Sequence, residues 1–114
     1  MRTIEKLFKA LADRNRLRIL KMLEARPLCV CEITHVMGIA QSSVSRHLAI
    51  LRDAGLVDDE KNGQWTSYSL SAGIDDAVAT LVTSLRRWGN DDPQVTADRA
   101  KLPGVRRENL CGKP

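Results

Sequence analysis

The sequence predicts a mainly α chain with one small β-hairpin, its elements in the order α-α-α-α-β-β-α. Three observations point there. Phe8, Trp65, Tyr68 and Trp88 are the whole aromatic content of the 114 residues, so the core must be built from Leu, Ile, Val, Ala and Met, which favours helices. Successive segments repeat apolar residues at i, i+3, i+4 and i+7. Before the last of these stands Asn62-Gly63, the strongest short-range hairpin signal, followed by strand-favouring Trp65, Thr66, Tyr68 and Leu70.

Taken in order, Ile4, Leu7, Phe8 and Leu11 set an amphipathic helix from about Thr3 to Ala12. Asp13 reads as the N-cap of a second helix whose buried stripe is Leu17, Ile19, Leu20 and Leu23, and Pro27 closes it. A third, short helix runs from about Val30 to Met37 over Ile33 and Val36 or Met37, and Gly38 supplies the left-handed residue that ends it. A fourth covers Gln41 to Ala54 with Val44, Leu48 and Leu51 on one face. Ala40 is a poor cap, so its start could shift by one residue. The short Gly38-Ile39-Ala40 turn between helices three and four is a helix-turn-helix signature. The hairpin spans Leu56 to Leu70, and a last helix from about Ile74 to Trp88 carries Ala77, Val78, Leu81, Val82 and Leu85. This is the winged helix-turn-helix order. It makes residues 1–90 one domain and leaves 91–114 as a tail broken by Pro93, Pro103 and Gly104, expected to be loosely ordered except where Cys111 is held.

Charge and cysteine usage narrow the function classes. The net charge is +4, and residues 1–26 alone hold eight basic side chains against three acidic ones, a balance suited to a phosphate backbone. No apolar run approaches the roughly 18 residues of a membrane span, and the N-terminus runs into an amphipathic helix rather than a signal core. A cytoplasmic protein without membrane contact is expected. Three cysteines are an odd number for a disulfide framework and read better as ligands or packing residues. No phosphate-cradling loop accompanies a cysteine nucleophile, so no catalytic residues, no enzyme activity and no organic cofactor are expected. At this length dimerisation often supplies burial that one chain lacks.

A helix that enters a DNA groove needs short polar side chains at its N-terminal end so that its backbone can approach. Gln41, Ser42, Ser43 and Ser45 provide them. Gln41 suits adenine N6 and N7. Arg46 suits a phosphate, and His47 either role. The hairpin carries Asp58, Asp59 and Glu60 before its turn, which limits its DNA contact to Lys61, Asn62 and Gln64 at the tip.

Cys29-Val30-Cys31 falls at the start of the third helix. Thiolates are soft ligands that exclude hard divalent cations. Residues i and i+2 do not face each other on an α-helix, so these two converge on one ion only where the backbone is extended or unwound. Ligation should therefore hold the first turn out of helical form and tilt the reading helix behind it. The helix N-terminus should also lower the thiol pKa. His35, one turn after Cys31, could join the pair for a divalent metal.

The run from Ile33 to Val57, ITHVMGIAQSSVSRHLAILRDAGLV, together with LFKALADRNRLRIL near the N-terminus, resembles the ArsR/SmtB family of bacterial metal-sensing repressors over roughly residues 4–90. Cys29-Val30-Cys31-Glu32-Ile33-Thr34 is similar to the Cys-Val-Cys-Asp-Leu-Cys metal box of its arsenite-responsive members, with Thr34 at the third cysteine position. The resemblance implies a homodimeric repressor on inverted-repeat double-stranded operator DNA, released when arsenite or antimonite binds Cys29 and Cys31. Trivalent arsenic and antimony favour three thiolates, which makes Cys111 the candidate third ligand beside a small-molecule thiol, hydroxide or water. It also implies a dimer interface of Ile4, Leu7, Phe8, Leu81, Leu85 and Trp88. The alternatives are a sensor of cadmium, lead or zinc and a thiol redox sensor on the same fold. Asp75 and Asp76 on the last helix have no histidine beside them, against a zinc site of the family's other type.

Overall fold

The computed structural model describes residues 2–73 and 75–110. Helix α1 spans Arg2–Leu11 and α2 Arg14–Leu23, followed by a two-residue strand β1, Leu28–Cys29. Helices α3, Val30–Met37, and α4, Gln41–Asp53, form the helix-turn-helix, and strands β2, Val57–Asn62, and β3, Trp65–Leu70, form the wing. Helix α5 covers Asp76–Arg87, α6 Pro93–Lys101, a 3-10 turn Leu102–Gly104, and α7 Arg107–Leu110.

Local signals account for most boundaries. The Asp13 carboxylate accepts the Arg16 backbone N–H at 3.0 Å and starts α2. Gly38, at φ +68°, ends α3 by donating to the Thr34 carbonyl at 2.8 Å, a conformation that costs a side chain but not glycine. Helix α4 begins after Ala40 with no side-chain cap, as expected of that residue. The Asp75 carboxylate caps α5 through the Ala77 and Val78 N–H groups.

The antiparallel sheet runs β1-β3-β2. Strand β1, too short to read from sequence, lays Leu28 opposite Tyr68 and Cys29 opposite Ser67. In the wing, Asn62 pairs with Trp65, so the two-residue loop is Gly63-Gln64 rather than Asn62-Gly63. Gly63 has φ +64° while no non-glycine residue has a positive φ among the described residues, the pattern of a type II′ turn with glycine first.

The core gathers Leu7, Ile19, Leu20, Met22, Leu28, Ile33, Val36, Val44, Leu48, Leu51, Leu56 and Val57, all essentially sealed from solvent. Leu17, expected in the stripe of α2, is exposed, and Met22 takes its place. The expectation of a loosely ordered tail is corrected for residues 93–110. Helix α6 packs on α2 and α7 on α3, and Val95, Leu102 and Val105 are buried, each a gain of about 2 kcal/mol by area. Asp98, only 1 % exposed, receives both Arg18 Nε and Nη2 at 2.9 Å. Arg26 donates to the carbonyls of Leu102 and Val105 at 3.2 and 2.7 Å, and Lys101 reaches the Val36 carbonyl near the end of α3.

Candidate functional site

Helix α4 presents Gln41, Ser42, Ser45 and Arg46 to solvent, with Ser43 and His47 half-buried. The apolar Val44, Leu48 and Leu51 pin the opposite face, so the polar face is held outward by core packing. Arg46 makes no ion pair or hydrogen bond among the described residues, which leaves its guanidinium available for a phosphate. His47 is engaged: its Nδ1 lies 3.2 Å from Arg16 Nη1.

The wing is fastened to this helix by Arg52 and Asp59, 2.9 Å apart. At its tip Lys61 and Gln64 are exposed. The Asn62 amide instead donates across the hairpin to Ser67 Oγ at 2.8 Å, so its side chain serves the wing's own rigidity.

Cys29 occupies the junction of β1 and α3. It is the N-cap residue of α3, with extended backbone at φ −88° and ψ 162°, and its side chain is buried at 3 % exposure. Cys31, half-buried, stands in the first turn of the helix. The pair therefore straddles a strand and a helix. The extended backbone that i,i+2 thiolates require is present on the Cys29 side. The buried Glu32 carboxylate accepts the Cys29 N–H at 2.7 Å and pairs with Arg26 at 3.3 Å, half of a capping box.

Burial pushes the Cys29 thiol up from its ordinary range, and the Glu32 carboxylate adds to that. The Arg107 guanidinium, with Nη1 3.7 Å from Sγ, pulls the other way and loses. For Cys29 this runs against the expectation of a lowered thiol: desolvation of the thiolate outweighs the nearby guanidinium. Arg107 also lies over the Trp65 ring at 4.5 Å, a cation–π contact that joins α7, the thiol and the wing strand. A polar cleft of about 620 Å³ opens here between Cys29, the wing residues Ser67 and Ser69, and Arg106 and Arg107.

Thr34, at the position of the box's third cysteine, has a buried Oγ1 without a hydrogen-bond partner among the described residues. His35 is exposed, and among the described residues no three His, Cys, Asp or Glu side chains are grouped to hold a metal ion. Cys111 lies outside the described residues. On the face expected to pair with a second copy, Ile4, Phe8 and Trp88 are 50, 59 and 55 % exposed, whereas Leu7 is spent in the chain's own core. Leu81 and Leu85 are half-buried against that core.

Sequence reasoning missed Arg16, Glu32, Trp65 and Arg107 as parts of these sites. Glu32 carried a signal, since it stands three residues after an N-cap, but cysteine is not a usual cap. The others act through contacts distant in sequence.

Three kinds of similarity converge on one family. The profile of the bacterial regulatory protein, arsR family, matches residues 13–59. The arsenic resistance transcriptional regulator ArsR1 of Pseudomonas putida is 38% identical over 103 residues, spanning 85% of this chain and 80% of that one. The arsenical resistance operon repressor of Escherichia coli is 37% identical over 107 residues, 93% and 87% of the two chains. Among solved structures, reduced HlyU from Vibrio cholerae superposes with a TM-score of 0.63 at 38% identity, covering 75% of this chain and 86% of that one. A homodimeric winged helix-turn-helix DNA-binding domain from Mycobacterium bovis, a possible ArsR-family regulator, superposes with a TM-score of 0.65 at 25% identity, over 80% and 82%. With its helix-turn-helix, wing and strand-to-helix thiol in place, this chain belongs to the ArsR family of DNA-binding transcriptional regulators.

Proposed function

We propose that the chain is a repressor that holds inverted-repeat operator DNA as a homodimer and releases it when arsenite or antimonite is bound by the thiolates of Cys29 and Cys31, with Cys111 as third ligand. The observation that carries this reading is the position of Cys29. It is extended and buried at the end of β1, it caps α3, and α3 packs against α4. The arsenic-resistance names of the two relatives supply the ion. A trivalent ion on thiolates supplies a pyramidal three-coordinate centre.

The chain's own residues do the rest. An ion on Cys29 Sγ shares that sulfur with the Arg107 guanidinium, which also stacks on Trp65 of the wing and so links the thiol to α7 and β3. Movement at the Cys29–Glu32 cap passes to α3, and through the shared core of Ile33, Val44 and Leu48 to α4. Gln41, Ser42, Ser43, Ser45, Arg46 and His47 on α4 form the reading face, with Lys61 and Gln64 at the wing tip. Ile4, Phe8 and Trp88 provide the surface for a second copy, and a two-fold dimer calls for a two-fold operator.

X-ray absorption at the arsenic edge of the arsenite-loaded full chain tests the ligand set. Three sulfur neighbours are expected, falling to two sulfurs and one oxygen in Cys111→Ser. An unchanged sulfur count in both Cys29→Ser and Cys31→Ser would overturn the assignment.

A further inference from the structure

Arg16 sits where three elements meet. Its Nε donates to the Ala10 carbonyl at 2.8 Å and its Nη2 to the Lys9 carbonyl at 3.1 Å, closing the C-terminal end of α1. Nη1 lies 3.7 Å from Asp13 Oδ2 on the α2 cap and 3.2 Å from His47 Nδ1 on α4. The Arg16 side chain is only 13 % exposed, so it is not placed to meet a phosphate itself. A guanidinium has donors and no acceptor, and it stays charged throughout the accessible pH range. The lone pair in this contact must therefore belong to His47 Nδ1, and the proton of the neutral ring must sit on Nε2. That second nitrogen has no partner among the described residues and is not sealed from solvent, on a ring that is half-buried on α4.

We infer that Arg16 is a positioning residue for DNA reading: by donating to Nδ1 it fixes His47 in the Nε2–H tautomer and turns the outward nitrogen into a hydrogen-bond donor for a DNA acceptor. The inference deepens the proposal that α4 enters DNA and rests on it for the role of the outward atom. A ring left without Arg16 would populate both tautomers and present an acceptor part of the time, which DNA phosphate and guanine O6 or N7 would reject. The same fork ties the end of α1 to the middle of α4. Lys6 and Asp53, 3.1 Å apart, add a second tie between these helices.

The experiment has two parts. Long-range 1H–15N correlation of the imidazole in the wild-type chain, without DNA, reads the tautomer directly. A single Nε2–H form is expected in the neutral ring, with a mixture in Arg16→Lys, and a proton found on Nδ1 in the wild type overturns the inference whether or not the protein binds DNA. The second part measures affinity for a duplex selected from random-sequence DNA by the wild-type protein. His47→Gln, whose amide places a donor near Nε2, should keep most of the affinity. His47→Asn, which keeps an acceptor near Nδ1 for Arg16 and loses the outward donor, should bind about fivefold more weakly, the weight of one neutral hydrogen bond, with an unchanged salt slope. A purely structural role reverses the order of the two variants. A cationic phosphate contact lowers the salt slope by about one in both. Either result overturns the inference, and failure to select any duplex would instead defeat the DNA-reading proposal while leaving the tautomer result standing.

Discussion

Replacing Arg18 by methionine tests whether α6 is an integral part of the fold. The substitution keeps the aliphatic stem and removes the guanidinium. Asp98 is then left at 1 % exposure with Gln94 Nε2, 3.0 Å from Oδ1, as its remaining partner. Stranding a sealed carboxylate in this way costs about 3–5 kcal/mol. For a chain of this length that corresponds to a fall in melting temperature of about 12–20 °C. The reverse change, Asp98→Ala, should cost less, because Arg18 at 14 % side-chain exposure can turn its head toward water while Asp98 cannot. Replacing both together by apolar residues of matching volume should recover most of the loss. Thermal denaturation at one fixed protein concentration, followed by circular dichroism, separates these cases. An Arg18→Met protein melting within about 3 °C of the wild type would refute the docking of α6 through this pair.

Asp13→Ala should destabilise by about 1 kcal/mol at pH 7 through loss of the α2 cap. Burial pushes the Asp13 carboxyl up, but the Arg16 backbone N–H and the Arg16 guanidinium pull it below the ordinary 3.8. Its stabilising share is thus complete above that value and fades as pH falls through the lowered one, so urea titrations of wild type and variant should converge only below about pH 4. Thr34→Val removes a buried hydroxyl that has no partner among the described residues, so it should raise stability by up to about 1 kcal/mol, whereas a loss of that size would mean the hydroxyl is bonded. Arg107→Met should push the Cys29 thiol still higher, since Arg107 is the group opposing burial there. In a Cys31→Ser, Cys111→Ser background the pH profile of iodoacetamide labelling should move to higher pH, and an unmoved profile would remove Arg107 from the site.

The elements that the sequence made legible are those with local signals. Asp13 and Gly38 mark helix ends by hydrogen bonds that close within four residues, and the apolar period of α4 is complete in Val44, Leu48 and Leu51. What stayed hidden depends on partners far along the chain. Strand β1 exists only by pairing with β3. Helix α6 did carry a signal: Asp92 caps it by accepting the Gln94 and Val95 N–H groups, and Pro93 occupies the first turn. Proline read as a breaker is, in that place, a starter. The turn shifted by one residue because pairing of Asn62 with Trp65 leaves Gly63 to take the positive φ alone. At the thiol site, position was readable and electrostatics was not, since the burial that raises Cys29 comes from tertiary packing.

In the proposed switch, ligation of Cys29 and Cys31 is felt by α4 on its operator. This coupling is tested most directly by fluorescence anisotropy of a labelled duplex selected by the wild-type protein, titrated with arsenite, antimonite, cadmium, lead and zinc. Arsenite and antimonite should release the wild-type chain and leave Cys29→Ser and Cys31→Ser on the duplex. Release of both variants at wild-type concentrations would place the inducer's ligands elsewhere in the chain.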